Sequence, residues 1–325
     1  MKLEAKALPY ACLLDGEGGL AAFSPADLGT WTPAKGPLWL HFDLTEPAAQ
    51  EWITGSSGLD PVAIEALLTV ESRPRVTRIG DGALLAFRGV NLNEGAAPDD
   101  MIGIRLWVDA HRVISTFRRH LRSVDDVDQG LRDGTGPANA AGILVELADR
   151  LVTRMSDTVD DLEERIAELE EQVLEGTRRE TRFALAELRR QVIALRRYIA
   201  PQREALASLL SSKLPWLEDG HRLSLRETTD RLMRHLEDLD AIRERAAVTQ
   251  EELQSRLAEQ QNVRMYVLSI VAAIFLPLGF LTGLLGINVG GIPGSDNPAA
   301  FAIFLGMLLA IVALELVFFR KSKWF

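Results

Sequence analysis

The sequence predicts an α+β protein. An N-terminal α/β domain leads into a long helical hairpin, a stalk helix and two C-terminal transmembrane helices. Three observations carry this. Short apolar runs alternate with turn residues up to about residue 140. Long breaker-poor stretches with apolar residues every three or four positions follow. Two apolar runs of bilayer-spanning length close the chain.

In the first stretch, Leu38 to Phe42, Ala83 to Phe87, Ile102 to Val108 and Arg112 to Phe117 read as strands. Asp81-Gly82 and Asp109-Ala110-His111 supply the turns between them. Asp60-Pro61 ahead of Val62 to Val70 reads as a capped helix with Pro at its first position. A mixed or antiparallel sheet follows from these elements. Beyond the Gly134 to Pro137 break, Leu144, Leu147, Leu151, Met155, Val159, Leu162, Ile166, Leu169 and Val173 form one helical stripe. Gly176 ends it, and Thr181 to Leu210 continues with Phe183, Leu188, Val192, Leu195, Ile199 and Leu206, Pro201 marking a kink or break. After a loop around Pro215, Ser224 with Glu227 gives a capping box, and no proline occurs before Pro277. One helix of about 60 residues, roughly 90 Å long, is expected from there to Gly286. The boundaries are therefore 1–140 for the α/β domain, 141–222 for the hairpin, 223–264 for the stalk, 265–286 and 299–319 for the spans, 287–298 for the loop between them and 320–325 for a basic tail.

Met265 to Leu285 has no charge and covers roughly 30 Å as a helix, the thickness of a bilayer core. Ala299 to Phe319 has one charge, Glu315, read as lying near the cytoplasmic interface close to Arg320. Arg256 and Arg264 precede the first span, and Arg320, Lys321 and Lys323 follow the second. The loop between carries only Asp296, so both termini are expected in the cytoplasm. The 46 acidic and 36 basic residues give a formal net charge of −10, which argues against a nucleic-acid partner. The one cysteine, Cys12, cannot form an internal disulfide and excludes a cysteine-rich zinc site. The N-terminus, with Asp15 and Glu17 among glycines, lacks a signal-peptide run, so the N-terminal part is expected to stay in the cytoplasm. No Walker motif, nucleophile elbow or catalytic dyad is visible, and neither enzymatic activity nor a resident cofactor is expected.

Along the first span, Met265, Ser269, Ala272, Leu276, Gly279, Gly283 and Gly286 alternate steps of four and three, making one narrow face that continues back through Asn262. Small residues on one face suit close helix packing or the wall of a pore shared by several copies. Two spans cannot enclose a polar path alone, so a pore requires an oligomer. Among the histidines, His41 with Asp43 reads as a structural pair on one strand face. His235 with Glu237 and Asp238 is a candidate metal site on the stalk, set against a plain solvated face. Nine acids between Asp157 and Glu175 face one base, Arg165: a solvated face or a cation-attracting one.

Gly286-Ile287-Asn288, followed by Val289-Gly290-Gly291-Ile292-Pro293-Gly294 and a second span with a basic tail, resembles the CorA metal-ion transporter family, and within it the zinc-transporting ZntB branch. Phe275 to Gly283, Ser322 to Phe325, Glu71 to Val76, Gly134 to Pro137, Arg196 to Arg203 and Leu214-Pro215-Trp216 also look similar, so the resemblance covers nearly the whole chain. It implies a homopentamer in the inner membrane whose first spans line a pore, with Gly286, Ile287 and Asn288 as selectivity filter at the outer mouth. Asn288 would hold a divalent ion through its hydration waters. Asn262, Met265, Leu268, Leu276 and Gly279 match pore-facing family positions, with Leu268 and Ser269 competing for the wall. Ile287 stands where the family carries Met, which weakens the case for magnesium and favours zinc or a broader divalent range. Proton coupling and direction stay open. The alternatives are a magnesium or cobalt channel and, from another class, a membrane-anchored signalling or scaffold protein.

Overall fold

A computed structural model of the chain describes residues 4–70, 73–176, 179–286, 294 and 297–321. These divide into two compact units, Met1–Glu251 and Glu252–Phe325. The first is built on a seven-stranded sheet of order β2-β1-β3-β7-β6-β5-β4, formed by β1 (Tyr10–Leu14), β2 (Leu20–Ala21), β3 (Leu38–Asp43), β4 (Arg75–Ile79), β5 (Gly82–Gly89), β6 (Ile102–Val108) and β7 (Arg112–Phe117). Only β3 and β7 run parallel, so the sheet is mixed. The remaining pairs are antiparallel.

Both sheet faces are covered, which is why the central strands are continuously apolar rather than alternating. Successive residues of β3 point to opposite sides. Trp39 enters a core with helices α3 (Arg122–Arg132), α4 (Ala140–Glu175) and α5 (Arg179–Ser211). Leu38, Leu40 and Phe42 enter a second core with α1 (Pro47–Ser56) and α2 (Pro61–Leu68). Asp60 caps α2 as its sequence suggests, Oδ1 accepting from the Val62 N–H at 2.8 Å. All nine stripe residues of α4 are buried. In α5 the stripe holds from Leu188 to Leu206, but Phe183 is 62% exposed and lies outside the core. Pro201 sits within a continuous α5.

Helix α6 (Asp219–Leu285) starts five residues before the expected capping box. Ser224 lies inside it and its hydroxyl donates back to the Gly220 carbonyl at 3.3 Å, so it is no cap. Pro277 also stays within the helix. The part of α6 in the first unit is laced to α4 and α5. Arg231 pairs with Asp149, Arg196 with Asp240 at 2.7 Å, Arg245 with Glu170 at 2.7 Å, and Arg189 with Gln250. Beneath these ties Leu225, Leu232, Leu239, Ile242 and Ala246 are buried in the core shared with α4 and α5.

The sequence segments singled out above have structural roles. The Gly136 N–H donates to the Gly18 carbonyl at 2.8 Å, and a Cβ on Gly18 would sit 2.9 Å from the Gly136 oxygen, so this backbone contact requires glycine. Gln202 accepts the Arg88 N–H at 2.6 Å where β5 outruns its partner β4, and the Arg88 guanidinium lies 4.3 Å over the Tyr198 ring. Trp216 donates to the Asp81 carbonyl at 2.6 Å, pinning the α5–α6 connection to the β4–β5 turn.

His41 is buried and hydrogen-bonded to Ser115 at 2.7 Å, stacked on Phe117 at 4.5 Å. Burial, helped by the charge of nearby His120, pulls its pKa from 6.5 to about 3. The folded state therefore binds fewer protons than the unfolded state between these values. Stability is full above about 6.5 and falls as pH drops towards about 3, at up to ~1.4 kcal/mol per pH unit. Denaturant unfolding of the full chain in detergent between pH 7 and pH 4 checks this: His41→Gln is expected to flatten that part of the slope.

Candidate functional site

The second unit holds the apolar end of α6 and α7 (Ala300–Lys321), both long and apolar enough to cross a membrane. Helical backbone satisfies its own hydrogen bonds, the condition for standing in hydrocarbon, and in α6 Pro277, which has no N–H, withdraws the donor that the Ala273 carbonyl would otherwise use. On α6, Ile270, Ala273, Ile274, Pro277, Leu278 and Leu281 are half-buried. On α7, Phe304, Leu308, Ile311, Val312 and Glu315 are half-buried and Phe319 is buried, again at steps of three and four. These are the faces the two helices present to each other. Between them runs a groove of ≈ 380 Å³ reached by Phe275, Leu278 and Thr282 from α6 and Leu305, Leu308 and Val312 from α7.

The stripe read from the sequence lies elsewhere. Asn262, Met265, Leu268, Ser269, Ala272, Leu276, Gly279, Gly283 and Gly286 are all exposed, Leu276 at 78%. At 100° per residue the stripe is centred about 180° from the face turned to α7. Leu268 and Ser269 fall on either side of its midline, about 50° from it, so they flank the stripe rather than exclude each other. Gly279, about 30° from the midline, also lines the groove with α7. The stripe is therefore not the surface on which α6 packs against its own second helix.

Gly286 closes α6. Its N–H donates to the Thr282 carbonyl at 2.9 Å, and a Cβ there would meet that oxygen at 2.7 Å. The Thr282 hydroxyl is turned onto its own helix, donating to the Leu278 carbonyl at 2.8 Å. Ile287 and Asn288 lie outside the described residues. Glu315, expected to reach towards the interface beside Arg320, instead lies on the α6-facing side of α7 with Oε2 buried and without a hydrogen bond.

The other candidate residues do not assemble. Among the described residues no group of three or more His, Cys, Asp or Glu is placed to hold a metal ion. His235 is half-buried against α4 beside Asp160 and Asp238, with burial lowering its pKa, whereas Glu237 points to solvent. His41 and Asp43 share a strand face but not a partner: Asp43 accepts from the Thr45 N–H at 2.8 Å. Cys12 is buried, and burial next to Asp128 pushes its thiol up to about 12.

A family model described as "CorA-like Mg2+ transporter protein" matches residues 34–321. This chain belongs to the CorA family. Its similarity extends along its length: the zinc transport protein ZntB of Yersinia enterocolitica is 40% identical over 315 residues, covering 97% of this chain and 95% of that one. The full-length CmaX protein structure is 37% identical with a TM-score of 0.86, each chain covered completely. The CorA magnesium transporter of Methanocaldococcus jannaschii, at 17% identity and a TM-score of 0.77 over 89% of this chain, shares the fold. CorA membership accounts for the mixed sheet, the long helix and the two terminal apolar helices as one architecture.

Two glycine substitutions separate the roles along α6. Gly286→Ala forces the close approach apart and is expected to destabilise by about 1–2 kcal/mol. Gly283→Ala, with open space around the new methyl, gains up to about 1 kcal/mol of helix propensity. Thermal unfolding of the full chain in lipid nanodiscs should show opposite shifts.

Proposed function

We propose that this chain moves Zn²⁺ across the inner membrane through a homopentameric pore lined by the exposed α6 stripe. The observation that carries this reading is that stripe: a continuous face of the apolar helix, turned away from α7, that the described residues leave exposed. Copies arranged about an axis would bring Met265, Leu268, Ser269, Ala272, Leu276, Gly279 and Gly283 together as a wall. Asn262 would lie at the inner end and Gly286, Ile287 and Asn288 at the outer mouth. Rings of neutral amide oxygens suit an ion that keeps its waters, and weak binding lets the ion leave. The basic residues flanking the apolar segments support both termini in the cytoplasm: Arg256 and Arg264 on one side, Arg320 and Lys321 on the other, with no Lys or Arg between Gly286 and Pro298.

Zinc is favoured over magnesium by the ZntB name of relatives at 40% identity and by Ile287 in place of Met. The description of the family model, which names Mg²⁺, keeps magnesium as the second reading. Partners are then further copies of this chain, the bilayer and divalent cations.

Proteoliposomes loaded with a zinc-sensitive dye test this, with zinc and magnesium compared side by side and with and without a pH gradient. Wild type is expected to take up zinc, and Asn288→Ala to lose most of that flux while retaining its oligomeric state. Unchanged flux in Asn288→Ala would point to a scaffold or a different route. With Cys12 buried and unreactive, Ala272→Cys should label with a water-soluble thiol reagent, whereas Ala273→Cys, on the face turned to α7, should not.

A further inference from the structure

The N-terminal unit contains a cleft of ≈ 220 Å³ between the β5–β6 connection, the middle of α4 and α5. Its walls carry four carboxylates, Asp99, Asp161, Glu164 and Glu168, against one guanidinium, Arg165. Arg165 is occupied, donating to Gln191 at 2.6 Å. Asp161, Glu164 and Glu168 are exposed and by themselves would be a solvated helix face. Asp99 is different. Its side chain is only 7% accessible. One oxygen meets Arg190 at 3.5 Å, long for a charged pair, and Arg190 is itself held by Glu187 at 2.5 Å. The other oxygen accepts no hydrogen bond. A buried carboxylate with half its acceptor capacity idle is unfavourable, and three more carboxylates around the cleft raise the local negative potential.

The shape of the charge limits what could relieve it. No three of these acids converge as metal ligands would. Instead Asp161 to Glu168 spread over seven residues of α4, about 10 Å along its axis. The apolar side chains of Pro98, Leu162 and Leu195 lie in the same wall. At ~30 Å³ per water in the liquid, the cleft has room for about seven waters or a chain of similar length. An ammonium supplies three donors from one small head.

We propose that this cleft binds a linear aliphatic di- or polyammonium ion. One ammonium donates to Asp99, the methylenes lie on Pro98, Leu162 and Leu195, and another ammonium is held by Glu164 and Glu168. The site uses none of the α6 stripe residues and stands independently of the transport reading.

Titration calorimetry of spermidine into the full chain, in zwitterionic nanodiscs at physiological ionic strength, tests it. One spermidine per chain is expected to bind. Asp99→Asn should weaken binding about tenfold or more. Glu164→Gln, at an exposed position that leaves the fold intact, should weaken it about threefold. Glu163→Gln, on the opposite side of α4, should leave it unchanged. Equal affinity in wild type and Glu164→Gln would overturn the proposal, as would an equal loss in Glu163→Gln, which marks diffuse attraction. Hexaamminecobalt(III), a compact trication, should bind more weakly than spermidine; matched affinity would show a compact-ion site and reject the linear ligand.

Discussion

The continuity of one helix, α6, conditions the rest of this structure. The helix runs from Asp219 to Leu285 without a break, through Pro277, and its side chains change character along the way. Up to Gln250 it carries arginines and acids that meet partners on α4 and α5. From Met265 on it carries no charge at all. A helix can make that change because it satisfies its own N–H and C=O groups whatever surrounds it, which a strand or loop cannot. The ties to α4 and α5 are partly exposed ion pairs, each of modest worth. The leucines beneath them therefore supply most of the attachment, and the pairs fix which face of α6 is presented.

How much of this was legible in the sequence depended on whether a local pattern matched the final environment. Strands β6 and β7 appear with the bounds the sequence suggests, because both are rich in β-branched and aromatic residues and bordered by turn residues. The α4 stripe was legible for the same reason. Strand β4 was missed: Arg75-Val76-Thr77-Arg78-Ile79 is a mostly exposed edge strand whose charges protect it and hide its pairing. Helix α3 was missed although Val124, Val127 and Leu131 are spaced for one buried face, since the aspartates between them dilute the signal. The start of α6 was misplaced because a serine followed by glutamate three residues on is a genuine capping pattern, here embedded in a helix already running.

The candidate site divides in the same way. The α6 stripe was visible because a period of three and four along an apolar helix is a property of the helix alone. That it faces away from α7 was not, since only packing decides which side the second helix takes. Glu315 shows the converse: proximity to Arg320 suggested an interfacial carboxylate, whereas its position in the stripe Phe304, Leu308, Val312, Glu315 and Phe319 turns it towards α6. Asp99 carries no local signal at all. It lies in an ordinary loop, and its burial comes from α4 and α5 crossing a connection far away in sequence. His235 and its acidic neighbours looked like a metal site in one dimension and came apart in three, because Glu237, two positions from His235, projects to another side of the helix and leaves only Asp238 beside it on α6.

Where the chain keeps its charge bears on the transport reading. Acids outnumber bases most strongly on α4, and no charge lies between Met265 and Gly286. A passage walled by small and aliphatic side chains cannot trap a soft dication as histidine or thiolate would. If the stripe is such a wall, affinity is given up along it, and discrimination would have to be made where dipoles are offered, at the end of the helix. Gly286 fits that division. Its N–H lies 2.9 Å from the Thr282 carbonyl of the last turn, a closure a side chain would obstruct. On this view the stripe governs passage and the residues after Gly286 govern choice, so changes in one should alter rate without altering which ion is preferred.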